Sequence, residues 1–340
     1  MASPCRFFAS PVKFTFVLDP LDRLDPGHDS TVALMEATQA RGHEVFVTQA
    51  SSLGVKEGRA VATVRPVRFV PVELNEAGDR WLAGEQWFEY AGEASPMELD
   101  AMDAVFMRTD PPVDTAYLYA TYILDYVDPR QTLVVNRPSG LRHANEKMYG
   151  LRFAEWMPRT IVSAEKDAIQ AFVTQEGRAV LKPIGGKAGE GILFLEDGDR
   201  NFNSLVEIAT LRGTLPVMVQ QFLPEAKDGD KRIILLDGEP IGAVNRIPTG
   251  SDFRGNMAVG GRVAKVNVTD RERDICKAIA PVLQRDGLYF VGLDVIGGYV
   301  TEVNVTSPTG IREIDRLDGV SLGDRTIAWV EGRCAQLRAD

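Results

Sequence analysis

The sequence predicts a multidomain α/β and α+β protein, in which an open, largely parallel N-terminal sheet is followed by an antiparallel half. Three observations predict it. Short apolar runs alternate with helix-length segments over the first third, the rhythm that builds a parallel sheet. Beyond about Arg142 the strand runs instead come in close pairs joined by tight turns. A chain of 340 residues also exceeds what one core organises, so two or three domains are expected.

In chain order, Phe14 to Leu18 is a buried-strand run closed by the breakers Asp19, Pro20 and Asp22. Asp29 or Ser30 caps a helix running toward Ala40, and Gly42 stops it. Glu44 to Thr48 is a second strand. Arg59 to Val72, β-branched and interrupted by Pro66, is expected to be an irregular hairpin. Ala104 to Met107 and Thr132 to Val135 are strands flanking a helix from about Asp114 to Tyr126. Ligands of such sheets gather beyond the carboxyl ends of the strands. In the second half, Ala179 to Lys182 and Ile192 to Leu195 flank a glycine-rich connection, and a helix near Ser204 to Leu211 precedes a strand from Val217 to Phe222. Arg232 to Leu236 and Ile241 to Asn245 form a pair, Arg271 to Gln284 a helix, and Tyr289 to Val295 with Val300 to Asn304 a hairpin turned at Gly297-Gly298.

Composition excludes several classes. Hydrophobic residues at 44% supply enough core to exclude disorder. A net charge of −10 argues against non-specific nucleic-acid binding, which needs clustered Lys and Arg. No apolar run approaches the roughly 20 residues that span a bilayer, so no membrane role is expected. Cys5, Cys276 and Cys334 form no CxxC pair, which excludes a zinc or disulfide framework and suits a reducing cytoplasm. Residues 1–11 read as neither fold nor secretory signal, and translation is expected to begin at Val12.

Three features can carry chemistry. The loop from Gly185 to Gly191, with Gly186 and Gly189 inside it, joins two strands. That excludes a Walker A or Rossmann motif, which requires a helix next. It reads either as a flap over phosphates, with Lys182 just upstream, or as plain turn chemistry. In GLDVIGGYVTEVNVTSP, Asp294, Glu302 and Asn304 sit on otherwise apolar strands. They read as oxygen ligands for Mg²⁺ or as a merely wet face. Register decides between them. A plain two-residue Gly297-Gly298 turn would pair Asp294 with Thr301 and turn it away from Glu302. A three-residue loop or an equivalent bulge is therefore expected if the ligands converge. Finally, Arg232, Arg246, Arg254 and Arg262 accompany the acidic hairpin. Each suits phosphate or carboxylate recognition, or is solvated surface.

These residues resemble bacterial glutathione synthetase, an ATP-grasp ligase family, from Lys13 to about Ala328. The matching stretches include DPP at 110–112, NRPSGLRHANEK at 136–147, LKP at 181–183, KDGDKRIILLDGEP at 227–240, RGNMAVGGR at 254–262 and VGLDVIGGYVTEVNVTSPTGIREI at 291–314. The resemblance implies a substrate-binding domain (12–141), a central ATP-grasp lid (142–222), a C-terminal catalytic domain (223–332) and a tail (333–340). It implies ligation of γ-glutamylcysteine and glycine with ATP as co-substrate and Mg²⁺, or Mn²⁺, as cofactor, in a cytoplasmic homotetramer or homodimer. Lys147, Lys182, the loop glycines, Gln220, Gln221, Phe222, Leu223 and Asp230 would bind ATP. Arg232, Arg246 and Arg254 would be catalytic, and Ser30, Arg108, Asp110, Arg262 and Ser307 would bind substrate. Other ATP-grasp carboxylate–amine ligases, of the D-alanine–D-alanine or glutamate type, and a non-catalytic synapsin-like module are the alternatives.

Overall fold

The computed structural model describes residues 11–186, 189–249 and 262–339. The expectations for residues 1–10 and for Arg254 lie outside the described residues. Strands β1 (Lys13–Val17) and β2 (Glu44–Thr48) pair in parallel through the crossover helix α1 (Ser30–Ala40). The Asp29 carboxylate starts that helix by accepting the Thr31 and Val32 N–H groups. Strand β3 (Leu53–Lys56) turns back into the long β4 (Arg59–Phe69). A small ribbon, β5 (Glu73–Leu74) with β6 (Trp81–Leu82), precedes β7 (Phe88–Tyr90) and β8 (Ser95–Glu98), which both pair with β4. Then come β9 (Ala104–Met107), α2 (Thr115–Leu124), β10 (Leu133–Val135) and α3 (Pro138–His143). The sheet runs β10-β9-β1-β2-β4-β3, parallel from β10 to β2.

The irregular hairpin expected around Pro66 is instead one continuous strand. Pro66 withholds a donor, yet its carbonyl accepts the Ala91 N–H at 2.9 Å. The strand also changes partners along its length, with β3 and β8 on the residues before Pro66 and β7 on those after it.

The middle of the chain forms a separate four-stranded antiparallel sheet, ordered β11-β14-β12-β13. It comprises β11 (Thr160–Ser163), α4 (Lys166–Glu176), β12 (Arg178–Pro183), β13 (Leu193–Glu196), α5 (Phe202–Ala209) and β14 (Val217–Gln221). Its core, including Ile169, Leu181, Leu195 and Val219, is its own.

The last part holds β15 (Asp230–Leu236), β16 (Glu239–Ile247), β17 (Arg262–Lys265), α6 (Asp270–Asp286), β18 (Phe290–Ile296), β19 (Tyr299–Asn304), α7 (Ile311–Asp318) and α8 (Leu322–Ala339). Its antiparallel sheet runs β17-β16-β15-β18-β19. Unlike the middle sheet, it shares cores with the N-terminal part: Phe14, Phe16 and Leu34 pack in one cluster with Ile234, Ile314 and Ile327. The expected tail at 333–340 is, through residue 339, the end of α8. Cys334 there is 2% exposed, and its thiol donates to the Asp103 carbonyl at 3.2 Å. Among the described residues no helix is long and apolar enough to cross a membrane.

The joint between α7 and α8 yields a pH prediction. Asp315 accepts the Leu322 N–H at 2.8 Å, and burial pushes its carboxyl up to about 6. The unfolded value is about 3.9, so the folded state holds the proton more tightly. Asp315 therefore favours folding below pH ~4 and loses that contribution as pH rises through about 6. Asp315→Asn, which keeps the acceptor, should be more stable than the parent at pH 7.5 and lose that advantage at pH 4.5, read from urea midpoints.

Candidate active site

The β18–β19 hairpin is built on a two-residue loop. Gly297 and Gly298 adopt φ of 56° and 78°, and Ile296 pairs with Tyr299. Two consecutive positive φ angles suit glycine and the tight hairpin turn. Left alone, this loop would send Asp294 and Glu302 to opposite faces. The register shifts between Asp294 and Val295, so Val295 faces Val300 while Asp294 faces Glu302. Thr301 is the additional residue of a β-bulge. The odd count thus comes from a bulge rather than from a longer loop. Asn304 pairs with Gly292 on the same face, and its amide donates to Asp294 Oδ2 at 3.1 Å.

Arginines from the neighbouring strands meet Asp294. Arg232 of β15 donates Nε to Oδ1 at 2.5 Å and Nη2 to Oδ2 at 2.9 Å, and Arg246 of β16 lies 3.0 Å from Oδ2. Arg246 also donates to Asp230 Oδ2 at 2.6 Å. Burial pushes the Asp294 carboxyl upward, but the two guanidiniums outweigh it and hold Asp294 well below the usual carboxylate range. Asp230 goes the other way, pushed up to about 6 by burial against the pull of Arg246. Its Oδ1 is buried without a hydrogen-bond partner.

Lysines bind the other carboxylate and the flap. Lys147 Nζ sits 3.1 Å from Glu302 Oε1 and donates to the Gly186 carbonyl at 2.6 Å. Lys182 Nζ approaches the Thr301 carbonyl at 3.4 Å, and burial lowers its pKa. One pocket brings together Lys147, Lys182, Gly186, Gly189, Gln220, Gln221, Phe222, Leu223, Asp230, Asp294 and Glu302. Gly191 stands next to it at φ 67°, where a Cβ would lie 2.9 Å from Pro183, so glycine is required there. Gly185 is exposed, with nothing near its Cβ position.

Four of the expected substrate residues, Ser30, Arg108, Asp110 and Ser307, gather along the segment from Ser307 to Ile311. Ser30 is fully buried and accepts the Ile311 N–H at 3.2 Å. Arg108 is 4% exposed and donates to Thr31 Oγ1 and the Pro308 carbonyl at 3.0 and 3.1 Å. Asp110 meets Ser307, and burial raises its pKa. Arg262 opens β17 at the sheet edge, opposite Ile247.

Sequence reading missed the apolar walls, Val180, Ile192, Ala226 and Ile296, which look like any other core residues. It also missed Glu146, whose only signal was its place beside Lys147. Glu146 Oε1 accepts from the Val305 and Thr306 N–H groups at 2.9 and 3.0 Å and from Thr306 Oγ1 at 2.8 Å. Burial first, and then Glu302, raises its pKa. Glu146→Ala strands two backbone donors at about 1–3 kcal/mol each. It should lower the urea midpoint and raise the KM for ATP, while Glu146→Gln, which keeps an acceptor, should do far less.

Residues 12–142 match the family model of the prokaryotic glutathione synthetase N-terminal domain, and residues 146–319 that of the prokaryotic glutathione synthetase ATP-grasp domain. The chain belongs to the prokaryotic glutathione synthetases. Among its relatives, glutathione synthetase of Synechococcus elongatus is 65% identical, covering 94% of this chain and 98% of that protein. The Synechocystis glutathione synthetase is 62% identical, covering 94% and 99%. That of Coxiella burnetii is 39% identical, covering 95% and 98%. In solved structures, the ATP-grasp ligase PsnB complexed with minimal precursor superposes at a TM-score of 0.60 and 19% identity, and D-cycloserine synthetase DcsG at 0.60 and 14%. Each covers 95% of this chain and 99% of its own. At those identities the likeness shows the fold alone, and that fold is ATP-grasp. Like other glutathione synthetases, the chain is an ATP-dependent ligase.

Proposed function

We propose that this chain joins γ-glutamylcysteine to glycine through an acyl phosphate, with ATP in the pocket between the middle sheet and the β18–β19 hairpin. The observation that carries the site reading is the bulge at Thr301, which sets Asp294, Glu302 and Asn304 on one face beside two lysines and two arginines.

Among the described residues no group of three or more His, Cys, Asp or Glu could hold a metal ion by itself. The set here is two carboxylates and an amide, an all-oxygen set that suits Mg²⁺ or Mn²⁺ when nucleotide phosphates and water supply the rest. Asp294, Glu302 and Asn304 would hold the ion, which supplies charge neutralisation on the γ-phosphate. Asp294 has its oxygens engaged by Arg232, Arg246 and Asn304. Asp294 would offer those oxygens to the ion, with Arg232 and Arg246 beside it for the phosphate.

A carboxylate is a poor electrophile, because its charge repels an amine and its leaving group is oxide. An oxygen of the cysteinyl carboxylate attacks the γ-phosphorus, the bond from that phosphorus to the bridging oxygen breaks, and ADP leaves. The glycine amine then adds to the acyl carbonyl, the C–O bond to phosphate breaks, and the amine proton passes to solvent. Negative charge builds on the moving phosphoryl oxygens, so Lys147, Lys182, Arg232 and Arg246, joined by Arg254, stabilise the transition state. Gly186 and Gly189 approach the phosphates as backbone and help exclude water, which would hydrolyse the intermediate. Ser30 and Arg108, already bonded inside the fold, brace the wall of the substrate cleft. Asp110, Ser307 and Arg262 border it. No side-chain nucleophile is required.

Phosphate release requiring ATP, γ-glutamylcysteine and glycine together tests the reaction. Oxygen-18 placed in the cysteinyl carboxylate should appear in phosphate, and its full retention in the peptide would rule out the acyl phosphate. A reducing cytoplasm suits the buried free thiols of Cys276 and Cys334, both pushed up to about 12 by burial. The homotetramer or homodimer is checked by sedimentation equilibrium.

A further inference from the structure

A second cavity, of about 460 Å³, lies along β10, the edge strand of the N-terminal sheet, against the end of α8. It shares no lining residue with the pocket that gathers Lys147, Asp294 and Glu302. Its size is within the range of small-molecule sites. Leu124, Val127, Leu133 and Leu337 give it apolar walls, and Arg137 and Arg333 give it two cations.

Both arginines are seated on Tyr289. The Arg137 N–H donates to the Gly287 carbonyl at 2.9 Å, and its Nη2 donates to the Tyr289 hydroxyl at 3.2 Å. Its side chain lies across Gly287, where a Cβ would come 2.5 Å from Arg137 Cβ. Arg333 holds its guanidinium carbon 6.0 Å from the centre of the Tyr289 ring and 5.8 Å from that of Trp329, at the outer reach of cation–π attraction. Arg137 is exposed and Arg333 half-buried. Among the described residues neither forms an ion pair, although acidic residues outnumber basic ones by 48 to 38. Asp125, the one carboxylate in the wall, is taken by Arg142 at 2.5 Å. Two cations brought to one tyrosine repel each other, and an anion shared between them turns that repulsion into attraction.

We propose that this cavity binds a small organic acid, a carboxylate or phosphate monoester on an apolar body. Arg137 and Arg333 share the anionic group, and the leucines and Val127 cover the body. The ligand would rest on the joint between the N-terminal sheet and the β18–β19 hairpin. Asn136, next to Arg137, exchanges hydrogen bonds with the Phe290 backbone at 2.9 and 2.8 Å and donates to the Val305 carbonyl at 2.8 Å. The site stands apart from the ligase reaction proposed above and does not depend on it.

The test is isothermal titration of the full chain with phenyl phosphate, benzoate and benzyl alcohol, in the presence of saturating Mg²⁺ and ADP to keep the probes out of the nucleotide pocket. At least one acid should bind with a Kd of about a millimolar or tighter, and benzyl alcohol about tenfold more weakly or worse. Whichever acid binds tighter identifies the head group, phosphate monoester or carboxylate. Arg333→Ala and Arg137→Ala should each weaken that acid by about tenfold or more, and Arg333→Lys should keep part of the affinity. Arg333→Ala should leave kcat and the KM for ATP within about twofold of the parent's, as expected of a substitution away from the reaction site. If Arg137→Ala does not fold, the Arg333 arm decides alone. No binding of either acid, benzyl alcohol binding as tightly as the acids, or an affinity unchanged by Arg333→Ala overturns the site.

Discussion

Glu302→Gln should lower kcat by on the order of a hundredfold or more while leaving the urea midpoint close to the parent's. The two halves of this expectation have different causes. Glu302 is partly open, with 24% of its side chain exposed, and among the described residues its ion-pair partner is Lys147 at 3.1 Å. Glutamine keeps the size and an acceptor oxygen, and Lys147 keeps the Gly186 carbonyl, so the fold loses one half-solvated ion pair worth about 1 kcal/mol or less. Catalysis loses a charged oxygen ligand from a set that has only two carboxylates. The Mg²⁺ concentration for half-maximal activity should rise with it. Normal turnover at ordinary Mg²⁺ would remove Glu302 from the metal site.

Much of this site was legible because its chemistry demands residue types that strands otherwise avoid. Two carboxylates and an asparagine on apolar strands stand out by composition alone, as does a glycine cluster between two strands. Helix starts were legible for the same reason, since Asp29 and Asp114 cap α1 and α2 with side-chain acceptors close in sequence. What depended on distant partners was not. Pro66 reads as a breaker until β7 and β8 are seen sharing β4 between them. Nothing in TEVN marks Thr301 as a bulge, because the register shift is a property of two strands together. Only the demand that Asp294 and Glu302 converge called for it. The substrate residues were harder still. Ser30 and Arg108 are polar residues near the right strand ends, yet the fold uses them to join α1 to the chain around 308–311.

Asp294→Asn, directly opposite Glu302, should cost folding about 3–5 kcal/mol, besides removing a charged oxygen from the proposed metal set. Asp294 is 3% exposed and accepts from both sides of the Arg232 fork, from Asn304 and from Arg246. An asparagine offers one acceptor oxygen in place of two and points N–H groups toward guanidiniums that are themselves 8% and 5% exposed. Two buried cations are then left with Asp230, which Arg246 already contacts at 2.6 Å and whose ionisation Arg232 also favours. Asp230 sits near 6 partly because the Asp294 charge opposes its ionisation, and in the variant that opposition is gone. At pH 8 Asp230 is ionised and offsets part of the loss. Toward pH 5 the parent's Asp230 takes up a proton, which favours the parent's fold because its folded value of about 6 exceeds the unfolded ~3.9, whereas in the variant Asp230 faces two arginines without that opposition, stays charged and brings no such gain. The gap in stability between parent and variant should therefore widen as pH falls from 8 to 5. Urea denaturation of both proteins at the two pH values measures it. A gap that stays constant or narrows would show that Asp230 does not share the arginines' charge, and equal stability at both would remove Asp294 as the anchor of this cluster.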